Sequence, residues 1–164
     1  MKVGLAVNGP CLPCMGHRTL SPTSMPGEFY IDTEHGVVCA KATGVISRAD
    51  VLDFRAQLLC HPDFRPELNQ LVDYREITKL ELSSAEVKDL ARHALFSADS
   101  KRVFVVASDL QFGLIRMFGA YREIVGDQQV MVCRTMAEAL SFLSLLAEPD
   151  PKSFKRFTVP KNEA

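Results

Sequence analysis

No run of apolar residues in this chain of 164 approaches the ~18 that a membrane span requires. The opening stretch Val3-Gly4-Leu5-Ala6-Val7 is also shorter than the roughly 7–15 apolar residues of a secretory signal. Net charge is nearly absent, at −1, so no global field steers the protein onto nucleic acid or anionic membrane. Neither Gly-x-Gly-x-x-Gly nor Gly-x-x-x-x-Gly-Lys occurs, which leaves no recognisable cradle for a nucleotide and calls for no cofactor. The four histidines, His17, His35, His61 and His93, lack the i, i+4 spacing of a helical metal pair. Internal repeats and low-complexity tracts are missing as well. Five cysteines, an odd number, fit a reduced compartment better than a disulfide framework. These absences place the chain among soluble cytoplasmic proteins with no nucleic-acid partner.

What is present is an ordinary globular composition, 47% hydrophobic and 24% charged, in a length that suits one domain with a sizeable core. Residues 1–28 differ from the rest. Pro10, Pro13, Pro22 and Pro26, with Gly9, Gly16, Ser21 and Ser24, read as a flexible arm. From Phe29 to Ala147 apolar periodicity becomes regular. Phe29–Asp32 and Val37–Thr43 form a hairpin about Glu34-His35-Gly36. Ser47 precedes a helix that stops before Pro62, and Gln70–Tyr74 reads as a buried strand. Ser83-Ser84-Ala85-Glu86 is a capping box that opens a helix through Val87, Leu90, Ala91 and Ala94. Arg102–Ala107 contains four successive apolar residues, Val103 to Val106, as in a central strand covered on both faces. Asp109 caps a long helix to about Val125, ended by Gly126. Gln129–Cys133 is the last strand, and Thr135 with Glu138 caps a helix to about Ala147.

The order β-β-α-β-α-β-α-β-α predicts one mixed, mostly parallel five-stranded sheet with four helices and an antiparallel edge. Residues 148–164 read as a basic tail. On the long helix, 100° per residue puts Leu110, Leu114, Met117, Phe118, Tyr121, Ile124 and Val125 on the core face. That leaves Phe112, Ile115, Arg116 and Gly119 as a candidate surface for a protein partner, a second copy or a ligand. Cys39, Cys60 and Cys133 read as packing residues. Cys11-Leu12-Pro13-Cys14, with His17 three residues on, is the one motif with the spacing of a thiol redox or metal pair. It lacks a following helix, and no second ligand pair accompanies it. No other combination of residues resembles a catalytic constellation.

Several strings occur in an order that resembles the SpoIIAA-like family, small domains with the STAS fold that are related to the CRAL-TRIO lipid-binding domains. They are His61-Pro62-Asp63-Phe64-Arg65-Pro66, Leu71-Val72-Asp73-Tyr74-Arg75-Glu76-Ile77-Thr78, Phe112-Gly113-Leu114-Ile115-Arg116-Met117-Phe118 and Ala137-Glu138-Ala139-Leu140-Ser141-Phe142-Leu143. The resemblance spans about Phe29–Leu146. It implies a regulatory or protein-interaction module rather than an enzyme, with a serine at a helix start that a kinase modifies. Ser83 and Ser84 hold the corresponding place, although Glu81-Leu82 replaces the preceding Asp and Ala85 the following Gly. The lipid-binding side of the resemblance implies an alternative, an apolar ligand among Phe104, Phe112, Met117 and Phe118. The cysteine pair of the arm supplies a third reading, as a thiol or metal protein.

Overall fold

The computed structural model describes residues 27–126 and 129–155. Five strands form one sheet in chain order: β1 (Gly27–Asp32), β2 (Val37–Ser47), β3 (Asn69–Glu81), β4 (Lys101–Val106) and β5 (Gln129–Cys133). β1 pairs antiparallel with β2 and every later pair is parallel. The helices α1 (Arg48–Cys60), α2 (Ser84–Arg92) and α3 (Asp109–Ile124) connect the parallel strands, and α4 (Met136–Leu143) follows β5. The architecture is the mixed α/β sheet that the alternation of elements predicts.

The period of two along each strand sorts the side chains between two layers. Val37 and Cys39 of β2, Leu71 of β3 and Val103 and Val105 of β4 pack with Met136, Ala139 and Leu143 of α4. The alternate residues Val72, Phe104 and Val106 pack with Ile115 of α3, and Phe29 and Val38 pack with Leu58 of α1. Successive parallel strands joined by right-handed crossovers place their helices on one side, so α1, α2 and α3 share a face while α4 covers the other. Val103, Val105 and Val106 are fully buried, as a strand covered on both faces must be.

All four helices begin with a reciprocal capping box, from Ser47 to Asp50, Ser83 to Glu86, Ser108 to Gln111 and Thr135 to Glu138. The cap of α3 is therefore Ser108 rather than Asp109, because Gln111 can reach back to the Ser108 amide. α4 ends at Leu143 rather than near Ala147. Ser144 adopts φ +58° there, and the Leu145 amide donates to the Leu140 carbonyl at 2.9 Å, which closes the last turn. β2 and β3 run past the sequence-based limits. Beyond Tyr74 they continue as a two-stranded ribbon, with register shifts at Lys41/Thr43 and Gly44/Val45. These shifts turn Ile77 and Leu80, three residues apart, to the same buried side, which hides the strand from a period-two reading.

The face of α3 also differs from the helical-wheel assignment. Its buried residues are Gln111, Ile115, Gly119 and Arg122, whereas Leu110 is 67% and Ile124 78% exposed. Of the stripe that a count of apolar residues favoured, Leu114 and Phe118 are half-buried while Leu110, Ile124 and Val125 are exposed. The packed stripe carries a glycine and two polar residues, Gln111 and Arg122, each hydrogen-bonded to a backbone carbonyl. Residues 149–155 are not a free tail either: Phe154 meets Tyr30 edge-on at 4.9 Å, and Lys155 exchanges backbone hydrogen bonds of 3.4 Å with Phe29.

The two assignments for α3 lead to opposite expectations. Ile115→Ala is expected to lower unfolding stability by about 2–5 kcal/mol, and Leu110→Ala to change it by no more than ~0.5 kcal/mol. Urea titration with an unchanged slope checks both.

Candidate functional site

Two concavities lie on the α1–α3 side of the molecule. The first is an apolar cavity of about 120 Å³ between the sheet and the three helices. Phe54 of α1, Leu80 of β3, Leu90 of α2, Phe104 of β4, and Leu114 and Phe118 of α3 form much of its wall. Gln70, Tyr74 and Arg102 also line it. Gln70 of β3 and Arg102 of β4 are direct partners in the parallel ladder. Both side chains consequently leave the sheet on the same face, and Arg102 Nε donates to Gln70 Oε1 at 2.8 Å.

The Arg102 guanidinium lies 5.0 Å from the ring centre of Phe96, 5.1 Å from Phe118 and 5.5 Å from Phe104. Such contacts attract a cation to the ring faces and hold it in place. Burial, followed by the positive charges of Arg55 and Arg122, pulls the Arg102 pKa well below the ordinary guanidinium value. Tyr74 stands two turns of the pleat beyond Gln70 on the same face, with its ring 6.0 Å from that of Phe104. Burial pushes its phenol from 10.0 up to about 12.

Arg55 and Arg122 have a structural task beside this cavity. Arg55 donates to the Leu90 carbonyl at 3.2 Å and to the His93 carbonyl. Arg122, only 2% exposed, donates to the Ala91 carbonyl at 2.5 Å. Two cations from α1 and α3 thus satisfy the open carbonyls at the negative end of the α2 dipole. They fix the three helices around the cavity.

The second concavity is a groove of about 330 Å³ between α3 and β5. Phe112, Ile115, Arg116, Gly119, Ala120 and Glu123 follow one helical stripe along it, opposite Val130, Met131 and Val132. All four residues singled out from the sequence on this helix meet here. They are not equally accessible: Ile115 is 7% exposed and belongs to the core, whereas Arg116 is exposed. At Gly119 a Cβ would stand 3.4 Å from the Val130 side chain, at the near limit of ordinary van der Waals contact, so helix and strand lie close together here. Arg134 stacks on Phe112 at 4.9 Å and pairs with Asp109.

The structure does not bring the remaining candidates together. Ser83 is the cap of α2; its hydroxyl accepts from the Glu86 amide at 3.3 Å and donates to Glu86 Oε2 at 2.8 Å. Ser84 is exposed in the first turn. Phe104 and Phe118 line the cavity, but Phe112 lines the groove. Cys39 and Cys133 are buried, whereas Cys60 is exposed, a departure from packing for that thiol. Burial pushes the Cys39 thiol up to about 11, away from reactivity. Cys11, Cys14 and His17 lie outside the described residues. Among the described residues no three His, Cys, Asp or Glu side chains converge as a metal site would require, and no helix is long and apolar enough to cross a membrane.

No family model matches the chain, nor does any curated protein. A solved structure is similar to it: an uncharacterized protein from the DUF3478 family with a SpoIIAA-like fold, from Shewanella loihica PV-4. The two are 17% identical, with a TM-score of 0.48, over 70% of this chain and 90% of that one. The likeness is one of fold. The order of elements expected of a SpoIIAA-like domain is the order observed, and the chemistry of the two concavities is read from this chain alone.

The residue that sequence reasoning missed is Arg102. It directly precedes the apolar run Val103–Val106, and the period of two places it on the same face as Phe104 and Val106. A charged residue in phase with a buried strand face was the available signal. Tyr74 provides a spectroscopic check of this environment. Its phenol is expected to ionise near pH 12 rather than 10, measured as the difference in ultraviolet titration between wild type and Tyr74→Phe. The raised value favours the neutral phenol in the folded state, so the contribution is complete below pH 10 and declines as pH rises toward 12.

Proposed function

We propose that this domain is a protein-interaction module that acts by binding rather than by catalysis, and that it docks through the outer edge of β5 and the adjoining stripe of α3. The observation that carries the reading is the character of that edge. Gln129-Val130-Met131-Val132-Cys133 is an uncharged strand whose three central residues are half-buried, and among the described residues it pairs only with β4. Soluble proteins protect edge strands with charge, proline, a bulge or a covering segment. β5 contains none of the first two, and its register with β4 is unbroken.

The occupant that best fits is a second copy of this chain. A two-fold contact brings each residue i opposite j and each j opposite i. On the α3 stripe, Arg116 and Glu123 carry opposite charges, and Gly119 lies between them against Val130. A two-fold axis near Gly119 sets Arg116 of one copy against Glu123 of the other and runs the two β5 edges antiparallel. The two sheets then join into one, with their apolar strand residues covered. Phe112, whose ring lies in the same groove, adds an aromatic contact of the kind enriched in interfaces.

Sedimentation velocity of the full chain tests the reading. Wild type is expected to form a dimer that dissociates on dilution. Glu123→Arg sets cation against cation and is expected to weaken it at least about fivefold, within the range of interfacial charge coupling. Adding Arg116→Glu to that variant restores the opposite-charge pairs and most of the affinity. A wild-type chain that stays monomeric at every concentration, or a dimer indifferent to both changes, contradicts the proposal.

A further inference from the structure

Protein interiors hold few voids larger than a water molecule, yet about 120 Å³ stays open between the sheet and α1–α3. The sequence of β2 is one source of that space. Its period of two turns Val38, Ala40 and Ala42 toward this layer, and the two alanines give the floor of the cavity only a methyl group each. Val51 and Phe54 of α1, which line the same cavity, remain half-buried. α1 is tied to α2 by polar links, from Arg48 to Asp89 at 2.8 Å and from Arg55 to the carbonyls of Leu90 and His93.

The charged side chains of the wall are already engaged. Arg102 donates to Gln70 and lies against three aromatic rings. Asp50 is turned to the Ser47 cap at 2.6 and 2.8 Å, and Lys41 pairs with Glu76 at 2.7 Å. Arg102 and Glu28 carry further interactions besides these. An ion entering the cavity would leave water without gaining a counter-charge, which is costly, so the wall favours a neutral molecule. Tyr74 differs from its neighbours. It leaves β3 on the same face as Gln70 and Val72 and lines the cavity. Among the described residues its hydroxyl forms no hydrogen bond. Polar groups shielded from water ordinarily have a partner, and a neutral phenol has one proton to donate.

Size limits the body of such a molecule. An apolar protein cavity of about 150 Å³ holds benzene, so a space of about 120 Å³ suits a compact ring rather than a long acyl chain. We infer that this cavity binds a small neutral molecule with a compact apolar body and one acceptor oxygen, the oxygen taken by the Tyr74 hydroxyl and the body by Leu80, Leu90, Leu114, Phe104 and Phe118. The site is separate from the β5 edge, so it gives the domain a ligand input distinct from its docking surface.

Methyl-detected NMR of the full chain at neutral pH tests the inference with three probes: cyclohexanone, toluene and benzoate. Cyclohexanone is expected to shift the Val72, Leu80, Leu90 and Leu114 methyls saturably, while Val103 and Val105, on the α4 side of the sheet, stay unchanged. Benzoate, which carries a charge, is expected to produce no saturable shift. Tyr74→Phe removes only the hydroxyl. It should weaken cyclohexanone at least about fivefold, as loss of one hydrogen bond implies, and should leave toluene, which has no acceptor, bound no less tightly than in wild type. Leu114→Phe fills the cavity while leaving Tyr74 in place and should abolish binding of cyclohexanone, which decides the matter even where Tyr74→Phe fails to fold. Absence of saturable cyclohexanone shifts at these methyls, benzoate binding as tight as that of cyclohexanone, or cyclohexanone affinity that survives either substitution overturns the inference.

Discussion

Every strand of an open sheet carries backbone donors and acceptors on both sides, and at the two outer edges no neighbouring strand meets them. The two edges of this sheet are treated differently. Along β1, the chain returns after α4 so that Lys155 exchanges hydrogen bonds with Phe29 and Phe154 covers Tyr30. Along β5, no described segment returns. The open edge is also the one that lies beside the α3 stripe, where Gly119 brings helix and strand into close contact. The interaction surface proposed for this domain follows from that asymmetry.

The same backbone constraint organises the interior. Burial of β3 and β4 on both faces forces the helices into two layers, and three of them crowd one side. Where α1, α2 and α3 converge, the last carbonyls of α2 are turned inward. Arg55 and Arg122 meet them, which places two cations next to a space walled by Phe54, Leu90 and Phe118. The ladder pairing of Gln70 with Arg102 brings a third cation to the same space from the sheet. Helix-end chemistry and strand register together bring charged side chains to a cavity in an otherwise apolar layer.

Much of this was legible in the sequence. The hairpin turn between Asp32 and Val37, the stop of α1 before Pro62 and the capping boxes at Ser83 and Thr135 depend on local chemistry, and local chemistry is what short strings report. The resemblance to the SpoIIAA-like family likewise agreed with the observed order of elements. What could not be read depended on tertiary context. The ribbon of β2 and β3 beyond Tyr74 was hidden by register shifts that break the period of two. The core face of α3 was misassigned because packing selected Gly119 and the hydrogen bonds of Gln111 and Arg122 over a larger count of apolar residues. For the site, Phe112, Arg116 and Gly119 were found as a stripe, but its position against β5 depends on how α3 crosses the sheet. Arg102 was missed because a charge at the start of a strand reads as an end residue until its ladder partner is known.

The docking proposed for this domain requires that the outer edge of β5 be covered when the protein does its work. Hydrogen–deuterium exchange of the β5 amides across a dilution series measures that edge directly. The amides of β5 that point away from β4 are predicted to be protected in concentrated solution and to exchange faster on dilution, while those of β3 and β4 remain unchanged. Outward β5 amides that exchange rapidly and equally at every concentration would contradict the claim.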